Sequence, residues 1–398
     1  MLMSRDTEIY VLGGARTPFG SYGGHLRQVN AVELARVAAT AAIERSGIPA
    51  SAIDLSVVGG VLPSTPDAAY LARHVALAAQ APIEAPALTV NRLCGSGLQA
   101  VISGAQSLAL GDGQVALVGG TENMSQAPYV LFGSRWGIKD GPPTLDDTLQ
   151  EALTDSACGL GMGMTAENLA EQYHISREAQ DAFAALSHQR AHAAEAAGIF
   201  AEEIVPVPVT QRGVTELWDR DEHIRPDTTV ESLSRLKPVF KKPDGTVTAG
   251  NASGINDGAA MLVIATGDFV RAHGLKPWAR IVSYGVAGVD PRIMGIGPVP
   301  ASRQALERAG LGWEDIGRIE INEAFAAQYL AVEQELNLDR EITNVHGGAI
   351  ALGHPVGASG ARLLLTLALE MKRARVHYGL ASLCIGGGQG ISMVIETV

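Results

Sequence analysis

The stretch Ile43-Glu-Arg-Ser-Gly-Ile48 returns as Leu306-Glu-Arg-Ala-Gly-Leu311, a shift of 263 residues along the chain. The dipeptides Ser96-Gly97 and Ser359-Gly360 keep the same shift. One register that is kept over about 50 residues indicates a duplicated structural unit. Chance similarity between two alanine-rich helices is the alternative to a duplication.

The pattern around these repeats is typical of an α/β protein, because short β-branched runs alternate with alanine- and leucine-rich stretches. Asn30 and Gly47 are expected to cap the helix at 31–46. The first half predicts strands at 9–12, 55–61 and 115–118 and helices at 31–46 and 96–110. The second half predicts strands at 281–284, 319–321 and 380–385 and helices at 302–309 and 359–373.

A segment from about 122 to 250 has no counterpart in the repeat and contains Pro142-Pro143 and an amphipathic stretch at 176–197. We interpret it as an insertion that covers one face of the core, near the strand ends where α/β proteins bind ligands. The chain then divides into an N-terminal half, a loop domain and a C-terminal half. Their predicted bounds are 1–122 (completed by about 256–277), 123–255 and 278–398.

Composition excludes several classes of protein. The 398 residues carry 30 Lys and Arg against 42 Asp and Glu, a net charge of −12, which argues against binding to nucleic acid or an anionic membrane. An anionic ligand would need a local basic site. Three cysteines cannot form a disulfide framework and favour a reducing compartment. With neither a membrane-length apolar run nor a secretory signal, the sequence predicts a cytoplasmic protein.

The first reactive candidate is Cys94, within Thr89-Val-Asn-Arg-Leu-Cys-Gly-Ser-Gly97, where a strand leads into a helix. Unpaired N–H groups and the positive end of the helix dipole favour a thiolate at this position. The flanking glycines are expected to give a substrate access to the sulfur. The alternative is an inert, buried cysteine.

His354 occupies the matching position before a helix in the second half, within Gly347–Gly360. Two equivalent helix N-termini would bring Cys94 and His354 towards one pocket, and a cysteine with a histidine is the minimum for an activated thiol nucleophile. A structural hydrogen-bonding role is the alternative for His354. His346 is a competing, lower-ranked candidate for the base.

Two further candidates follow predicted strands. Cys384, followed by Gly386-Gly-Gly-Gln-Gly390, could act as a general acid or base beside an oxyanion hole formed by backbone N–H groups. Asn322 could hold a water or a substrate oxygen, or simply cap a helix. Neither this glycine run nor Gly13-Gly-Ala-Arg16 matches a nucleotide-binding motif, and the cysteine spacing disfavours zinc, so no metal site is predicted.

Taken in order along nearly the whole chain, these blocks resemble the thiolase family. Segments 134–137 and 295–300 look similar to its acetyl-CoA acetyltransferase and broad-range 3-ketothiolase branch. The resemblance implies two related βαβαβ-type halves in a five-layered αβαβα core, with an inserted loop domain that binds coenzyme A. The blocks that carry it are Asn91-Arg-Leu-Cys-Gly-Ser-Gly97, Asn322-Glu-Ala-Phe-Ala326, Gly353-His-Pro-Val-Gly-Ala-Ser-Gly360 and Cys384-Ile-Gly-Gly-Gly-Gln-Gly390.

The resemblance also implies the chemistry, an acetyl-CoA C-acetyltransferase or 3-ketoacyl-CoA thiolase with ping-pong kinetics. Cys94 would become acylated after activation by His354, and Cys384 would move the α-proton of the second substrate. The backbone N–H groups of Cys94 and Gly386 would form one oxyanion hole. His354 and a water on Asn322 would form the second.

Arg225, Ser232 and Ser253 match positions that contact coenzyme A in the family, and Met162 and Phe325 match positions near the acyl and pantetheine groups. Coenzyme A would be substrate and product rather than a bound cofactor, and the family suggests a homotetramer or homodimer. Gly161 stands where many relatives have histidine and His346 where they often have asparagine, so the acyl chain length stays open.

Two other functions remain to be separated from this one. A decarboxylating ketosynthase-like enzyme would use one cysteine and two histidines, whereas this chain has Cys384 and Asn322. A non-catalytic acyl-CoA carrier would be favoured by loss of Cys94, His354 or Cys384, and all three are present.

Overall fold

The structure is a computed structural model that describes residues 7–138 and 140–398; the first six residues of the predicted N-terminal half lie outside it. The strands are Ile9–Arg16 (β1), Gly20–Ser21 (β2), Leu55–Gly59 (β3), Ala87–Val90 (β4), Val115–Asn123 (β5), Tyr129–Val130 (β6), Asp146–Asp147 (β7), Thr154–Asp155 (β8), Leu160–Gly161 (β9), Val207–Gln211 (β10), Val214–Trp218 (β11), Asn256–Thr266 (β12), Ala279–Gly288 (β13), Ile316–Ile321 (β14), Tyr378–Ile385 (β15) and Gln389–Glu396 (β16).

The α-helices alternate with these strands along the chain. They are Ala31–Ser46 (α1), Leu71–Ala78 (α2), Ser96–Leu110 (α3), Thr148–Ala152 (α4), Met162–Gln172 (α5), Arg177–Ala196 (α6), Val230–Ser234 (α7), Gly267–His273 (α8), Pro298–Ala309 (α9), Ala326–Leu336 (α10), Ala349–Leu352 (α11) and Val356–Ala374 (α12). In the described part of the chain, no helix is both long and apolar enough to cross a bilayer.

The main sheet has two arms with equivalent strand arrangements, and its strand order is β14-β15-β16-β13-β1-β12-β5-β3-β4. The arms meet where β1 and β13 pair antiparallel, Tyr10 opposite Arg280 and Val11 opposite Ala279. Outward from this seam, β1-β12-β5-β3 on one side corresponds to β13-β16-β15-β14 on the other. The duplicated α/β architecture predicted from the repeat is therefore confirmed.

Helices cover and separate the two arms in five layers. The helices α3 and α12 pack against each other between the arms, α3 on β5 and β3 and α12 on β15 and β14. The outer faces carry α1 and α2 on one arm and α9 and α10 on the other, each helix contributing its apolar face to a buried cluster. The order helix, sheet, helix, sheet, helix buries most of both central helices, and only their C-terminal ends reach the surface.

Local signals determine where several elements begin and end. The side chain of Asn30 accepts a hydrogen bond from the Glu33 N–H at 2.9 Å, and Gly47 takes the left-handed conformation, so α1 has the predicted bounds. The predicted strand at 115–118 is too short, since β5 continues through Gly119-Gly120 to Asn123. A side chain on Gly120 would collide with the Gly357 carbonyl of α12, so this glycine makes room for a helix and does not end the strand.

The inserted segment is anchored to the core by a buried ion-pair cluster. Arg16 of β1 is fully buried and donates to both carboxylate oxygens of Asp221, at 2.7 and 2.9 Å. Glu203 approaches the same guanidinium at 3.5 Å. Losing Asp221 would remove both short hydrogen bonds to the buried guanidinium and leave it only the longer contact with Glu203. The domain bounds given above remain a prediction.

The central helices touch backbone to backbone. A Cβ atom on Gly97 would lie 2.7 Å from the Ala361 nitrogen and 2.9 Å from the Gly357 oxygen. On the facing helix, a Cβ atom on Gly360 would collide with the backbone nitrogen of Leu98. Gly97 and Gly360 are the pair related by the 263-residue shift, and the structure assigns them to helix packing rather than to substrate access.

Gly97→Ala should therefore lower the free energy of unfolding by about 1–3 kcal/mol, the usual cost of overpacking a close contact. Urea denaturation followed by circular dichroism measures it. Gly288→Ala is the control, because the nearest atom to an added Cβ there is 3.9 Å away. Equal stability of the two variants would contradict the close helix contact.

Candidate active site

The loop before α3 presents Cys94 through hydrogen bonds of its own. Asn91 accepts a hydrogen bond from the Leu93 N–H at 2.9 Å, and Leu93 takes a positive φ of 47°. The Ser96 hydroxyl accepts from the Arg92 N–H at 2.9 Å and donates to the Leu93 carbonyl at 2.7 Å. The hydrogen bonds of these polar residues thus fix the conformation of the loop and, with it, the orientation of Cys94.

Cys94 lies at the end of a narrow, largely apolar cleft, which we call the Cys94 pocket. The predicted residues Met162 and Gly386 belong to it, and a Cβ on Gly386 would lie 3.3 Å from the Met162 sulfur and narrow it. Val356, two residues after His354, lines it as well. The lining residues are Val61, Leu62, Leu93, Cys94, Met124, Ala152, Leu153, Met162, Val356 and Gly386.

The Cys94 thiol is not the thiolate that its place before a helix predicts. Burial raises its pKa, the negative charge of Glu122 raises it further, and a hydrogen bond from the Gly386 N–H lowers it. Desolvation of the charged form outweighs the favourable backbone groups. Cys94 therefore needs a base to become a nucleophile.

His354 is held as a neutral base with a defined tautomer. Its Nδ1 lies 2.6 Å from the Ser359 hydroxyl, and that hydroxyl donates its own hydrogen to the Pro355 carbonyl at 2.9 Å. Nδ1 must therefore be the donor, which leaves a lone pair on Nε2. Burial, assisted by the positive charge of Arg362, lowers the pKa of His354 to about 4.

Asn322 lies against the free nitrogen of His354. Its Nδ2 is 3.4 Å from His354 Nε2, while its backbone N–H donates to the Ser382 carbonyl at 2.9 Å. No donor among the described residues reaches its buried Oδ1, which is open to a ligand oxygen bearing a proton. Helix α10 starts at Ala326 with Phe325 at its N-cap, so the helix-capping role considered for Asn322 is wrong.

Cys384 is a second thiol close to the first. It is fully buried near the end of β15, and burial raises its pKa, with a further rise caused by the charge of Cys94. A thiol in this surrounding stays protonated and can donate a proton to a developing carbanion. Cys158 does not line the pocket; its sulfur lies 3.8 Å from the Asp155 carbonyl.

Four residues predicted to contact the substrate are not among those that line the Cys94 pocket: Arg225, Ser232, Ser253 and Phe325. Ser253 donates its N–H to the Ala324 carbonyl at 2.9 Å, and Phe325 packs edge-on against Phe240 with ring centres 6.2 Å apart. Arg225 is exposed. Ser232 is exposed too, but its hydroxyl closes the capping box of α7 with Thr229.

His346, the competing candidate, is occupied elsewhere. Its Nε2 lies 2.7 Å from the Glu370 carboxylate, which also receives Arg318 and Arg373. These partners lower the pKa of Glu370 to about 2 against the effect of burial. The cluster stabilises the C-terminal part of α12 and does not reach the Cys94 pocket.

Three residues of the site were missed in the sequence. Ser359 orients His354, Asn256 accepts the His354 N–H at 3.0 Å, and Glu122 contacts the pocket wall. Ser359 lies inside the motif that contains His354, so its spacing could have suggested a contact. Asn256 and Glu122 are distant in sequence and carry no such signal.

Fold and site together place the chain among enzymes that transfer acyl groups through a cysteine. More narrowly, the chain belongs to the thiolase family: the model of the thiolase N-terminal domain matches residues 9–268 and that of the C-terminal domain matches 275–397. Thiolases are acyltransferases. The resemblance drawn from the four motifs is confirmed.

Named relatives cover almost the full length. The mitochondrial 3-ketoacyl-CoA thiolase of Rattus norvegicus is 52% identical, and a beta-ketothiolase of Cupriavidus necator is 48% identical, each over 98% of this chain and 98% or 99% of its own. A crystal structure of human mitochondrial 3-ketoacyl-CoA thiolase in complex with CoA aligns with a TM-score of 0.95 at 50% identity, over 98% of both chains.

Ser359→Ala should reduce kcat about 10- to 100-fold with little change in KM, because Nδ1 loses its acceptor and the tautomer with a free Nε2 is no longer favoured. Steady-state thiolysis kinetics measure this. Ser302→Ala is the matched control, since it removes another buried hydroxyl, 2.9 Å from Ser392 and outside the pocket. A Ser359 variant with native kcat would refute the assignment of the tautomer.

Proposed function

We propose that the protein makes and cleaves 3-ketoacyl-CoA, as an acetyl-CoA C-acetyltransferase or 3-ketoacyl-CoA thiolase, with coenzyme A as substrate and product. The observation that carries this is the proximity of two protonated thiols, Cys94 and Cys384, to each other, together with a neutral His354 two residues before Val356 in the lining of the Cys94 pocket. The names of the relatives and the CoA complex of the human enzyme support the substrate class.

In the first half-reaction, His354 Nε2 takes the proton of Cys94 as the sulfur attacks the thioester or ketone carbonyl. The Gly386 N–H already points at the Cys94 sulfur, so it lies close to where the carbonyl oxygen of an acyl-Cys94 adduct would develop negative charge. With the Cys94 N–H, it supplies an oxyanion hole made of backbone donors.

In thiolysis, the C–C bond breaks as the acyl group stays on Cys94, and the departing enolate takes its proton from Cys384. The raised pKa of Cys384 suits this step, because the residue enters it as a thiol. Asn322 and His354 lie together and can hold the enolate oxygen. The Cys384 thiolate then takes the proton of the coenzyme A thiol, whose sulfur accepts the acyl group, and His354 returns its proton to the released Cys94 sulfur. Condensation runs the same steps backwards.

Coenzyme A carries phosphates, and the net charge of −12 requires a local cation for it. Arg225 provides an exposed guanidinium, and its backbone N–H is fixed by a 3.1 Å hydrogen bond to His188 Nδ1. Ser253, held beside Phe325, would contact the pantetheine arm. Ser232 would contact the nucleotide end only if its hydroxyl served both the cap of α7 and the ligand.

We also propose a cytoplasmic location, supported by three free cysteines, two of which must stay reduced to react.

Cys94→Ala should abolish thiolysis and condensation, whereas Cys384→Ala should block C–C bond chemistry and still allow slow acylation of Cys94. Intact-protein mass spectrometry after incubation with acetyl-CoA detects the acyl adduct, and a coupled assay detects turnover. Cys158→Ala is the control and should behave as native. An active Cys94→Ala enzyme would overturn the proposed mechanism.

The assembly that we propose is a homo-oligomer, a dimer or tetramer. Strand β4 forms the free edge of one arm, with Leu88 54% exposed, and an unprotected edge strand invites pairing with another chain. The segment after β5 also exposes large aromatic groups, with Phe132 at 73% and Trp136 at 83%. Apolar surface of this extent is typical of an interface.

Leu88→Lys should shift the assembly towards smaller species, because a charge would be buried when two β4 edges meet. Sedimentation velocity measures the change against native protein. The control is Leu217→Lys, another exposed leucine, on the β10–β11 hairpin. A native protein that sediments as a monomer would contradict the proposed assembly.

A further inference from the structure

Glu122, the second-to-last residue of β5, has a buried carboxylate that takes no part in the proposed mechanism. It is 1% exposed, and no lysine, arginine or histidine in the described chain forms an ion pair with it. Instead it accepts three backbone N–H groups: Leu62 at 3.0 Å on Oε1, and Val61 at 3.1 Å and Gly357 at 3.0 Å on Oε2. One side chain therefore holds two separate segments.

The first segment forms a wall of the Cys94 pocket. Val61 and Leu62 follow β3, beyond the end of its ladder, and both side chains line the pocket. Leu62 packs in a buried cluster with Met124 and Val356. Besides Glu122, the side chain of Asn91 donates to the Val61 carbonyl at a long 3.3 Å. Apart from a local turn bond from the Ser64 N–H to the Leu62 carbonyl at 2.9 Å, Glu122 thus provides the short hydrogen bonds to this wall.

The second segment is the start of α12. Gly357 belongs to its first turn, next to Val356 in the pocket lining and three residues after His354. A carboxylate is favourable at a helix N-terminus because it faces unpaired N–H groups and the positive end of the dipole. The same carboxylate therefore sets the spacing between the Val61-Leu62 wall and the helix end that carries the base.

We propose that Glu122 is a positioning residue that sets the width of the Cys94 pocket and thereby the length of acyl chain that reaches Cys94. The proposal rests on the thiolase reaction described above and deepens its substrate selection. Glu122 touches no reacting atom. Its charge raises the pKa of Cys94 for every substrate alike, and it selects between substrates through the position of Leu62 and Val356. Loosening the wall should admit longer chains and hold short ones less well.

Glu122→Gln tests this with little change of volume. The amide oxygen can keep Val61 and Gly357, but the amide NH₂ then faces the Leu62 N–H, and two donors cannot pair. Leu62 is released while α12 stays bound. Burial raises the pKa of Glu122 to about 7, so the protein already accommodates a neutral group at this position and the variant should fold.

The measurement is kcat/KM for thiolysis of straight-chain 3-ketoacyl-CoA substrates of four and eight carbons. We expect the ratio of kcat/KM for the eight-carbon substrate to kcat/KM for the four-carbon substrate to rise about three- to tenfold in Glu122→Gln. One or two methylene groups change the discrimination of an apolar pocket by a similar factor. A purely structural role would lower the melting temperature and leave this ratio at its native value.

Asp54→Asn is the matched control. Its carboxylate also accepts two backbone N–H groups, Gln114 at 2.7 Å and Val115 at 3.0 Å, but at the opposite end of β3. The control should keep the native ratio. Leu62→Ala covers the case in which Glu122→Gln does not fold: it removes the wall itself and should raise the ratio in the same direction.

An unchanged ratio in either folded pocket variant overturns the role of Glu122 or of the wall that it holds. Native enzyme that thiolyses neither substrate would instead refute the proposed function. The two failures are thus distinguishable, because the first requires an active native enzyme.

Discussion

The direct backbone contact between α3 and α12 is the constraint on which the site depends. Because neither Gly97 nor Gly360 has a side chain, the two helices cross near their N-termini at a distance that a Cβ atom would prevent. Their N-terminal loops then meet at one place, although they are about 260 residues apart in sequence. Without that contact, the loop that carries Cys94 and the segment that carries His354, which belong to different halves of the chain, would be held apart.

Burial determines the charge state of the groups gathered there. Cys94, Cys384 and His354 all lose solvent, and each is moved towards its neutral form. For the cysteines this means a raised pKa and for the histidine a lowered one, because desolvation always penalises the charged species. In the proposed mechanism, proton transfer from Cys94 to His354 therefore takes place during the reaction and not in the resting enzyme.

Much of the fold is legible in the sequence because its determinants are local. Asn30 and Gly47 mark both ends of α1, and the 263-residue shift predicts the duplicated core. The motifs also indicate which side chains carry chemistry. What local pattern cannot supply is the purpose of a glycine: Gly119-Gly120 look like a strand end, yet β5 runs through them, and Gly120 leaves room for a helix from the other half.

The supporting residues escape sequence analysis for a similar reason. Asn256 and Glu122 contact the His354 segment from β12 and β5, so only the folded chain brings them within hydrogen-bond distance. The prediction of a Cys94 thiolate from the helix dipole is wrong because it, too, uses only residues that are near in sequence. It counts the nearby backbone groups correctly but omits the desolvation that the surrounding core imposes.

The duplication of the two arms has a consequence for how such a protein could evolve. Under the 263-residue shift, His354 corresponds to Asn91, Cys94 to Gly357 and Cys384 to Thr121. Two separate copies of a half-length ancestor would have to carry the same residue at both members of each pair. Covalent fusion removes that obligation, so one copy of each position could specialise for proton transfer or nucleophilic attack while its twin kept a structural role.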